Sequence, residues 1–406
     1  MKREIPVEEL QFGMYVSKLD RPWTDTPFMF QGFELKTQKE LDELKKYCKT
    51  VFVDTDKGLD LPDPVRVKPK PAGKSGNVLE TITHKVDYVE RASLQAELPH
   101  ARAAHGKAEV VLNDMFDSIR AGKTLDAPRV REAVTSMTES VVRNPDAMLL
   151  LTKLKEKEAQ AAGRAVGISV YMITFARFLH LPLEQLELLG MLGLLQDVGM
   201  MRLPPAVLDR EEPLKGANLE AYKKHVEHSV ALLKETTGLP TELPGLTALH
   251  HERFDGSGYP KGLKGEQIGL FGSIAGVIDH FDELMQPKPF GGALAPSNAL
   301  SVLYQSRDRL FSGPLVEQFI QCIGIYPVGA IVELNSGEIG IVIAQNLARR
   351  LLPRVMVVLD AKGSPVRPQK ILDLAKDPKV TSDTPYRIKR TMERDSVSID
   401  PAEFFI

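Results

Sequence analysis

The sequence has few cysteines, few aromatic side chains and no long apolar run. Its 406 residues include two cysteines, Cys48 and Cys322, and 6% aromatic residues. Two cysteines so far apart argue against a disulfide framework and favour a reducing compartment. No window reaches the roughly 20 apolar residues that a membrane-spanning helix needs, and the charged residues 1–10 do not form a signal peptide. We therefore expect a cytoplasmic protein without a membrane span.

A strong charge of either sign is also lacking. The formal net charge is −2 and the isoelectric point is about 6.5. Nothing in this balance predicts binding to nucleic acid or to an anionic membrane. Hydrophobic residues make up 43% and charged residues 26% of the chain, which is typical of globular domains. The length predicts two or three of them.

The residue pattern divides the chain into four parts. Short apolar runs around a helical repeat open the sequence, a proline-rich stretch follows, and a long helical region gives way to alternating strands. The predicted parts are an N-terminal α/β domain at 1–65, a linker at 66–105, a helical domain at 106–325, and a C-terminal β hairpin region and tail at 326–406. The predicted fold class is mainly α, a helical bundle with a small N-terminal α/β domain and a small C-terminal β unit.

Within the helical region, apolar periodicity predicts about eight helices. Among them are one long helix at 130–155 and others at 165–179, 183–195, 219–235 and 269–284. After this region, two apolar runs flank Asn335-Ser336-Gly337, a signature of a β hairpin.

Histidines and carboxylates recur at the ends and on the faces of these helices. His225 and His228 are three residues apart and share one helix face. Imidazole and carboxylate suit Zn, Fe or Mn, and ligands from several helices are typical of sites inside bundles. Any one of these histidines alone is more often an ordinary core or surface residue, but the set beside a glycine-rich turn predicts a metal site. That set is Asp197, His225, His250, His251 and Asp279.

The turn carries a resemblance to a known family. Residues 250–268, HHERFDGSGYPKGLKGEQI, resemble the signature of the HD-GYP domain, a subgroup of the HD-superfamily phosphohydrolases that hydrolyse cyclic di-GMP. Residues 278–284, IDHFDEL, resemble the AD-x-FDAL helix of that family, and residues 1–65 resemble the domain often found ahead of it in bacteria. The resemblance implies an HD-type helical bundle in which divalent ions hold the phosphodiester.

The resemblance also assigns roles to residues of this chain. Asp197 matches the aspartate that bridges the ions and is catalytic if the site is active, and the other four residues of the predicted metal set match further ligands. The loop that contacts the nucleotide, or a diguanylate cyclase (GGDEF) domain, corresponds to Arg253, Asp255, Gly256, Gly258, Tyr259, Pro260 and Lys261, with Lys288 further along the chain.

Three positions depart from the family pattern. Gln196 stands where the family has the histidine of its HD pair, Arg164 falls at the position of an early histidine ligand, and Met200 replaces a lysine. A neutral amide oxygen is a poor substitute for imidazole on Fe, Mn or Zn. These changes predict partial metal loading or none, at most one ion held weakly, and weak or no hydrolysis.

Three functions stay open at this point. The first is a degenerate HD-GYP protein that serves cyclic di-GMP signalling as a nucleotide-binding or protein-interaction module. The second is an active metal-dependent cyclic di-GMP phosphodiesterase producing pGpG or GMP, with His228 or His280 as replacement ligands. The third is a metal-independent receptor for another nucleotide, whose phosphates contact Arg164, Arg253, Lys261 and Lys264.

Overall fold

The chain forms two units, Met1–Ser75 and Gly76–Ile406. The computed structural model describes residues 2–21, 23, 26, 28, 32–54, 77–155, 161–208, 213–286, 292–346 and 349–392. The first part of the predicted linker, residues 66–76, and Lys288 lie outside the described residues. Across the described ranges, no helix is both long and apolar enough to cross a membrane.

The described residues of the N-terminal unit form a four-stranded antiparallel sheet with one α-helix, which agrees with the predicted α/β character. Its elements are β1 Lys2–Pro6, β2 Tyr15–Leu19, β3 Phe33–Glu34, α1 Gln38–Tyr47 and β4 Thr50–Asp54. The strand order is β1-β4-β2-β3. Helix α1 begins at a capping box, in which Thr37 accepts from the Glu40 N–H and Glu40 accepts from the Thr37 N–H. Leu44 and Val51 are fully buried and join the helix to the sheet in one apolar core.

The second unit begins with a helical bundle, which confirms the mainly α fold class. Its helices are α2 Leu94–Arg120, α3 Ala127–Arg143, α4 Pro145–Lys155, α5 Ala161–Phe178, α6 Leu183–Leu195, α7 Pro205–Leu208, α8 Gly216–Glu235, α9 Leu243–Thr247, α10 Gly269–Met285, α11 Pro296–Gln305 and α12 Gly313–Ile323. Phe319 lies at the centre, with ring centroids 5.2 Å from both Phe175 and Phe281 in edge-to-face packing. These rings join α5, α10 and α12.

The start of the bundle differs from the prediction. Helix α2 begins at Leu94 because the Ser93 hydroxyl accepts a hydrogen bond from the Ala96 N–H. The predicted boundary between residues 105 and 106 therefore falls inside this helix. Of the predicted linker, residues 77–105 include a 3₁₀ turn at Val78–Thr81 and the first turns of α2.

The long helix predicted at 130–155 is two helices, α3 and α4. The break follows from Asn144 and Pro145: proline has no N–H to donate to the preceding turn. The Asn144 side chain instead accepts hydrogen bonds from the backbone N–H groups of Asp146 and Ala147. The chain therefore ends one helix and caps the next within two residues.

The C-terminal region is a five-stranded antiparallel sheet, which extends the predicted hairpin and small β unit. Its strands are β5 Ile331–Leu334, β6 Ile339–Ala344, β7 Arg354–Leu359, β8 Pro365–Asp373 and β9 Ile388–Thr391, in the order β8-β7-β6-β5-β9. The predicted β5–β6 hairpin is present, with Gly337 at a φ of 85°. Strand β8 was missed because six of its nine residues are exposed and two of these are prolines, so it shows little apolar alternation.

Candidate metal and nucleotide site

Four side chains converge in the helical bundle. Asp197 follows the end of α6, His225 lies on α8, and His250 and His251 follow α9. Each offers one ligand atom, and these atoms all lie within 4.8 Å of one another. All three histidines are buried. The structure thus brings together four of the five residues that the sequence predicts as metal ligands.

A glycine allows two of these elements to approach closely. Gly199 lies in the 3₁₀ segment Val198–Arg202, directly after Asp197. Its N–H donates to the Ser229 hydroxyl at 2.8 Å, and a Cβ at this position would collide with the His225 carbonyl and the Ser229 N–H. Because glycine has no Cβ, the segment that carries Asp197 lies against α8, which carries His225.

Two backbone carbonyls fix the orientation of the histidine rings. Nδ1 of His225 lies 2.7 Å from the Tyr222 carbonyl, and Nδ1 of His250 lies 2.7 Å from the Thr247 carbonyl. A carbonyl only accepts, so each Nδ1 carries the hydrogen and leaves a lone pair on Nε2. The Nε2 of His225 is 3.4 Å from that of His250 and 3.1 Å from that of His251. Such close nitrogens repel each other unless a cation or a proton lies between them.

The spacing of the donor atoms fits one divalent ion. Oδ1 of Asp197 lies 3.4 Å from Nε2 of both His225 and His250. A tetrahedral ion with bonds of about 2.0–2.1 Å keeps neighbouring ligands about 3.3–3.4 Å apart. Four of the six donor pairs lie 3.1–3.4 Å apart, close to this value, and a set of three nitrogens and one oxygen suits Zn, Fe or Mn.

The electrostatics of the cluster favour neutral rings at His225 and His251 beside an ionised Asp197. Burial lowers the pKa of His225 to about 4 and holds that of His251 well below its usual range. Burial also opposes charge on His250, but the neighbouring Asp197 raises the pKa of that ring. For Asp197, burial raises the pKa, and the contacts with His250 and Arg164 outweigh it and lower the pKa. A divalent ion held by these residues would therefore compete with a proton on His250.

Arg164, on α5, points into the site from the opposite side. Its Nε lies 2.7 Å from Asp282 Oδ2, and its Nη2 lies 3.3 Å from Asp279 Oδ1. Its Nη1 lies 4.0 Å from Asp197 Oδ2. Although burial disfavours the charge, these carboxylates raise the pKa of Arg164 above its already high value. A permanent cation thus lies within reach of three carboxylates of the site.

Asp279 contacts this arginine rather than joining the four-residue cluster. The fully buried Gln196 places its Nε2 3.5 Å from Asp279 Oδ1, the oxygen that also faces Arg164. Asp279 Oδ2 lies 3.4 Å from His251 Nδ1, as in a carboxylate that orients a ligating imidazole. Burial and the nearby Asp197 raise the pKa of Asp279 to about 7. The oxygen of the Gln196 amide is buried and lacks a hydrogen-bond partner among the described residues.

The glycine-rich loop is held by a buried glutamate. The Glu252 carboxylate accepts from the backbone N–H of Lys261 at 2.8 Å and from that of Leu263 at 2.9 Å. The Tyr259 N–H donates to the His251 carbonyl, and the two rings stack with centroids 4.7 Å apart. The loop is therefore fastened at both sides and placed over the histidine cluster.

Some of the remaining predicted loop residues stabilise the loop, and others are exposed to solvent. The Arg253 guanidinium donates to the carbonyls of His250 and Glu252, so it stabilises the backbone of the loop. Gly256 has a φ of 81°, a conformation that favours glycine. Asp255 accepts from the Ser257 N–H at 2.9 Å within the same turn, and Pro260 follows a cis peptide bond. Lys261 is exposed and faces solvent.

Three other predicted residues lie apart from the cluster. Met200 is a partly exposed residue of the 3₁₀ segment that follows Asp197. The His280 ring lies 5.3 Å from that of Phe311, and neither His280 nor His228 belongs to the converging group. The predicted replacement ligands are therefore not in place.

Four contributors to the site were given no role from the sequence. Glu252 follows the paired histidines directly, as a carboxylate beside the glycine-rich turn. Asp282, the partner of Arg164, lies one helical turn after Asp279 on the same face of α10, which is a readable signal. Tyr222 and Thr247 act through their carbonyls three residues before a histidine, and backbone contacts of this kind leave no mark on residue type.

Family models match three parts of the chain. They are a domain of unknown function, DUF3391, over residues 2–130, the HD domain over residues 148–314, and a KOW domain associated with the HD domain over residues 331–384.

Known proteins match the chain over most of its length or over part of it. The cyclic di-GMP phosphodiesterase PA4108 of Pseudomonas aeruginosa is 31% identical over 378 residues, which cover 93% of this chain and 90% of that protein. The cyclic di-GMP phosphodiesterase response regulator RpfG of Xanthomonas campestris is 35% identical over 36% of this chain and 39% of its own length. The 3'3'-cGAMP-specific phosphodiesterase 3 of Vibrio cholerae is 29% identical over 37% of this chain and 32% of its own length. The chain therefore belongs to the HD-GYP family of HD domain proteins, the family of the cyclic di-GMP phosphodiesterases.

Proposed function

We propose that this protein serves cyclic di-GMP signalling as a nucleotide-binding module with one divalent ion and weak or no hydrolysis. One observation carries the proposal: the donors form a single four-residue cluster, and a buried amide, Gln196, stands where the family has a further imidazole. Within the described ranges, no second group of three or more histidine, cysteine or carboxylate ligands converges.

A single ion limits the chemistry of the site. Two ions can stabilise both the attacking and the leaving oxygen of a phosphodiester, whereas one ion supplies positive charge to only part of it. His225, His250 and His251 would hold the ion, together with Asp197. The role of Asp279 is to orient His251 through their 3.4 Å contact.

The surface over the cluster supports binding of a phosphate-containing ligand. The Tyr259 ring stacks on His251, and the Lys223 ammonium lies 5.4 Å from the Tyr259 ring. Lys261 and Lys264 are exposed on the same loop. Lysines attract phosphate as point charges without fixing its geometry. Relatives named for cyclic di-GMP and for 3'3'-cGAMP support a cyclic dinucleotide as the ligand class.

The proposal extends to protein partners and to location. The exposed turn of the loop, held by Glu252 from behind, offers a fixed surface on which a diguanylate cyclase domain could dock. Cys48 and Cys322 are both buried and unpaired with each other, in keeping with the reducing cytoplasm.

The alternative is an active phosphodiesterase that works with one ion. The orientation of His225 and His250 by backbone carbonyls favours it, because such preorganised ligands are a feature of functional metal sites.

Metal analysis and nucleotide titration test the proposal together. We expect at most one Mn, Fe or Zn per purified chain, saturable binding of cyclic di-GMP by calorimetry, and little release of pGpG in excess Mn²⁺. Two tightly held ions with turnover that His250→Ala abolishes would establish the enzyme instead. Failure to bind cyclic di-GMP and 3'3'-cGAMP, with and without Mn²⁺, would refute a nucleotide function. His228→Ala is the matched control, since this histidine lies on the same helix as His225 but outside the cluster.

A further inference from the structure

The Arg164 guanidinium lies beside three carboxylates, one from the segment that follows α6 and two from α10. Its three guanidinium nitrogens each face a different one: Asp197, Asp279 and Asp282. Asp279 and Asp282 are both buried. We propose that Arg164 is a tethered cation that substitutes permanently for one ion of a two-ion centre, so that the site stays assembled without metal. This inference rests on the proposed one-ion site and adds what replaces the other ion.

The two oxygens of Asp197 face different partners. Oδ1 lies 3.4 Å from the Nε2 atoms of His225 and His250, while Oδ2 lies 4.0 Å from Arg164 Nη1. A carboxylate that bridges two ions directs one oxygen to each of them. Asp197 thus connects the histidine cluster to a guanidinium in the manner of such a bridge.

The charges agree with this assignment. When ionised, three carboxylates and one guanidinium leave a formal charge of −2. One divalent ion at the histidine cluster balances it, whereas a second would leave the buried site with excess positive charge beside Arg164. Uncompensated charge in a buried site is costly.

Neighbouring amides add contacts to two of these carboxylates. Gln196 Nε2 lies 3.5 Å from the Asp279 oxygen that Arg164 contacts, and Gln286 Nε2 donates to the other oxygen of Asp282 at 3.1 Å. Amide donors beside a guanidinium satisfy carboxylates without adding charge. Arg164 and Gln196 therefore act as a matched pair in this half of the site.

Thermal unfolding of the full chain in excess EDTA tests the substitution. Arg164→Met keeps an unbranched side chain, shorter than that of arginine, and removes the charge, which leaves two buried carboxylates without a cation. Removing one partner of a buried ion pair is strongly destabilising, and for a domain of this size we expect Tm to fall by roughly 10 °C. The control is Arg129→Met, which removes a guanidinium from an exposed pair with Asp114 and is expected to change Tm little.

Two further variants keep the test decisive. The triple variant Arg164→Met/Asp279→Asn/Asp282→Asn removes the carboxylate charges together with the cation and should recover most of the lost Tm. The triple variant also tests the substitution if Arg164→Met alone does not fold. The double variant Arg164→His/Gln196→His should lose Tm in EDTA, regain it with Mn²⁺ and hold two ions per chain by elemental analysis.

Three results would overturn the substitution. They are an unchanged Tm for Arg164→Met in EDTA, a triple variant no more stable than Arg164→Met, and a parent chain that holds two tight ions. None of these depends on nucleotide binding. A chain that fails to bind cyclic dinucleotides but behaves as expected in EDTA therefore refutes the proposed function alone.

Discussion

Glu252 and Lys261 are joined across the glycine-rich loop by a hydrogen bond of 2.8 Å from the Lys261 N–H to the Glu252 carboxylate. The second carboxylate oxygen accepts from the Leu263 N–H at 2.9 Å. Only 2% of Glu252 is exposed, so water cannot replace these bonds. The residue that follows the paired histidines therefore fixes the path of the loop above them, and the loop and the metal cluster share one support.

Replacement of this glutamate should loosen the loop. Hydrogen bonds to a charged group contribute roughly 1.5–3 kcal/mol each, and a truncated side chain leaves two backbone N–H groups without an acceptor. We expect Glu252→Ala to lower the free energy of unfolding by about 3 kcal/mol in urea titrations and to weaken nucleotide binding. Glu266→Ala, at an exposed glutamate of the same loop, should stay within about 0.5 kcal/mol of the parent. Equal effects of the two changes would contradict the role of Glu252.

A methyl group at Gly199 should separate Asp197 from α8. The Cβ would meet the His225 carbonyl and the Ser229 N–H, and backbone atoms cannot turn aside as a flexible side chain can. We expect Gly199→Ala to cost about 2–3 kcal/mol of stability and to weaken metal binding. Gly106→Ala is the matched control, because Gly106 lies in α2 with no atom within 4 Å of the added Cβ, and there alanine should stabilise the helix by roughly 0.5–1 kcal/mol. Stability and metal affinity unchanged in Gly199→Ala would count against the close approach.

The helical fold and the four-residue cluster were predictable because both leave local signals. Apolar periodicity marks the helices, and the adjacent His250 and His251 mark the site by residue type. The break between α3 and α4 was also readable, since Asn144 and Pro145 end a helix for local reasons, but the apolar repeat on both sides concealed it. Strand β8 gave only a weak signal, because it contains two prolines and six of its nine residues are exposed.

The details of the site depended on distance in space rather than in sequence. Arg164 and Asp282 are 118 residues apart in the chain and 2.7 Å apart in the structure. Counting along the helices placed Arg164 near the site, but only the fold of α5 against α10 shows which carboxylates it meets. The same holds for Asp279, predicted as a metal ligand from its family position: its contacts with Arg164, Gln196 and His251 emerge from three different elements.

The free energy of unfolding should depend on pH through the titration of Asp146. Burial and the nearby Glu90 raise the pKa of this carboxyl to about 7 in the folded chain, against the ordinary value of about 3.9 in the unfolded chain. Between these values the folded state binds the proton and the unfolded state does not. Its contribution to the free energy of unfolding therefore falls as pH rises from about 4 to about 7, by at most about 1.4 kcal/mol per pH unit.

Asp146→Asn should remove this contribution. We expect the variant to gain stability relative to the parent as pH rises from 5 to 8, measured by urea unfolding in EDTA so that metal binding does not contribute. The Gln345 N–H, which donates to Asp146 Oδ2 at 3.3 Å, can donate equally to the amide oxygen, so the fold should be retained. A constant difference between the two chains across this range would contradict the raised pKa.

Two histidines that lie one turn apart on α8 should contribute very differently to metal affinity. His225 is fully buried, is oriented by the Tyr222 carbonyl and faces Asp197, whereas His228 is partly exposed and lies outside the cluster. Loss of a residue that merely orients a ligand costs about 10–100-fold in affinity, so loss of the ligand itself should cost more. We expect His225→Ala to weaken Mn²⁺ binding by more than about 100-fold in calorimetric titrations, with His228→Ala close to the parent. Binding should also weaken as pH falls, because the proton on His250 competes with the ion. Equal affinities for the two variants would mean that Mn²⁺ binds elsewhere on the chain, and the cluster would then need another explanation for its convergent nitrogens.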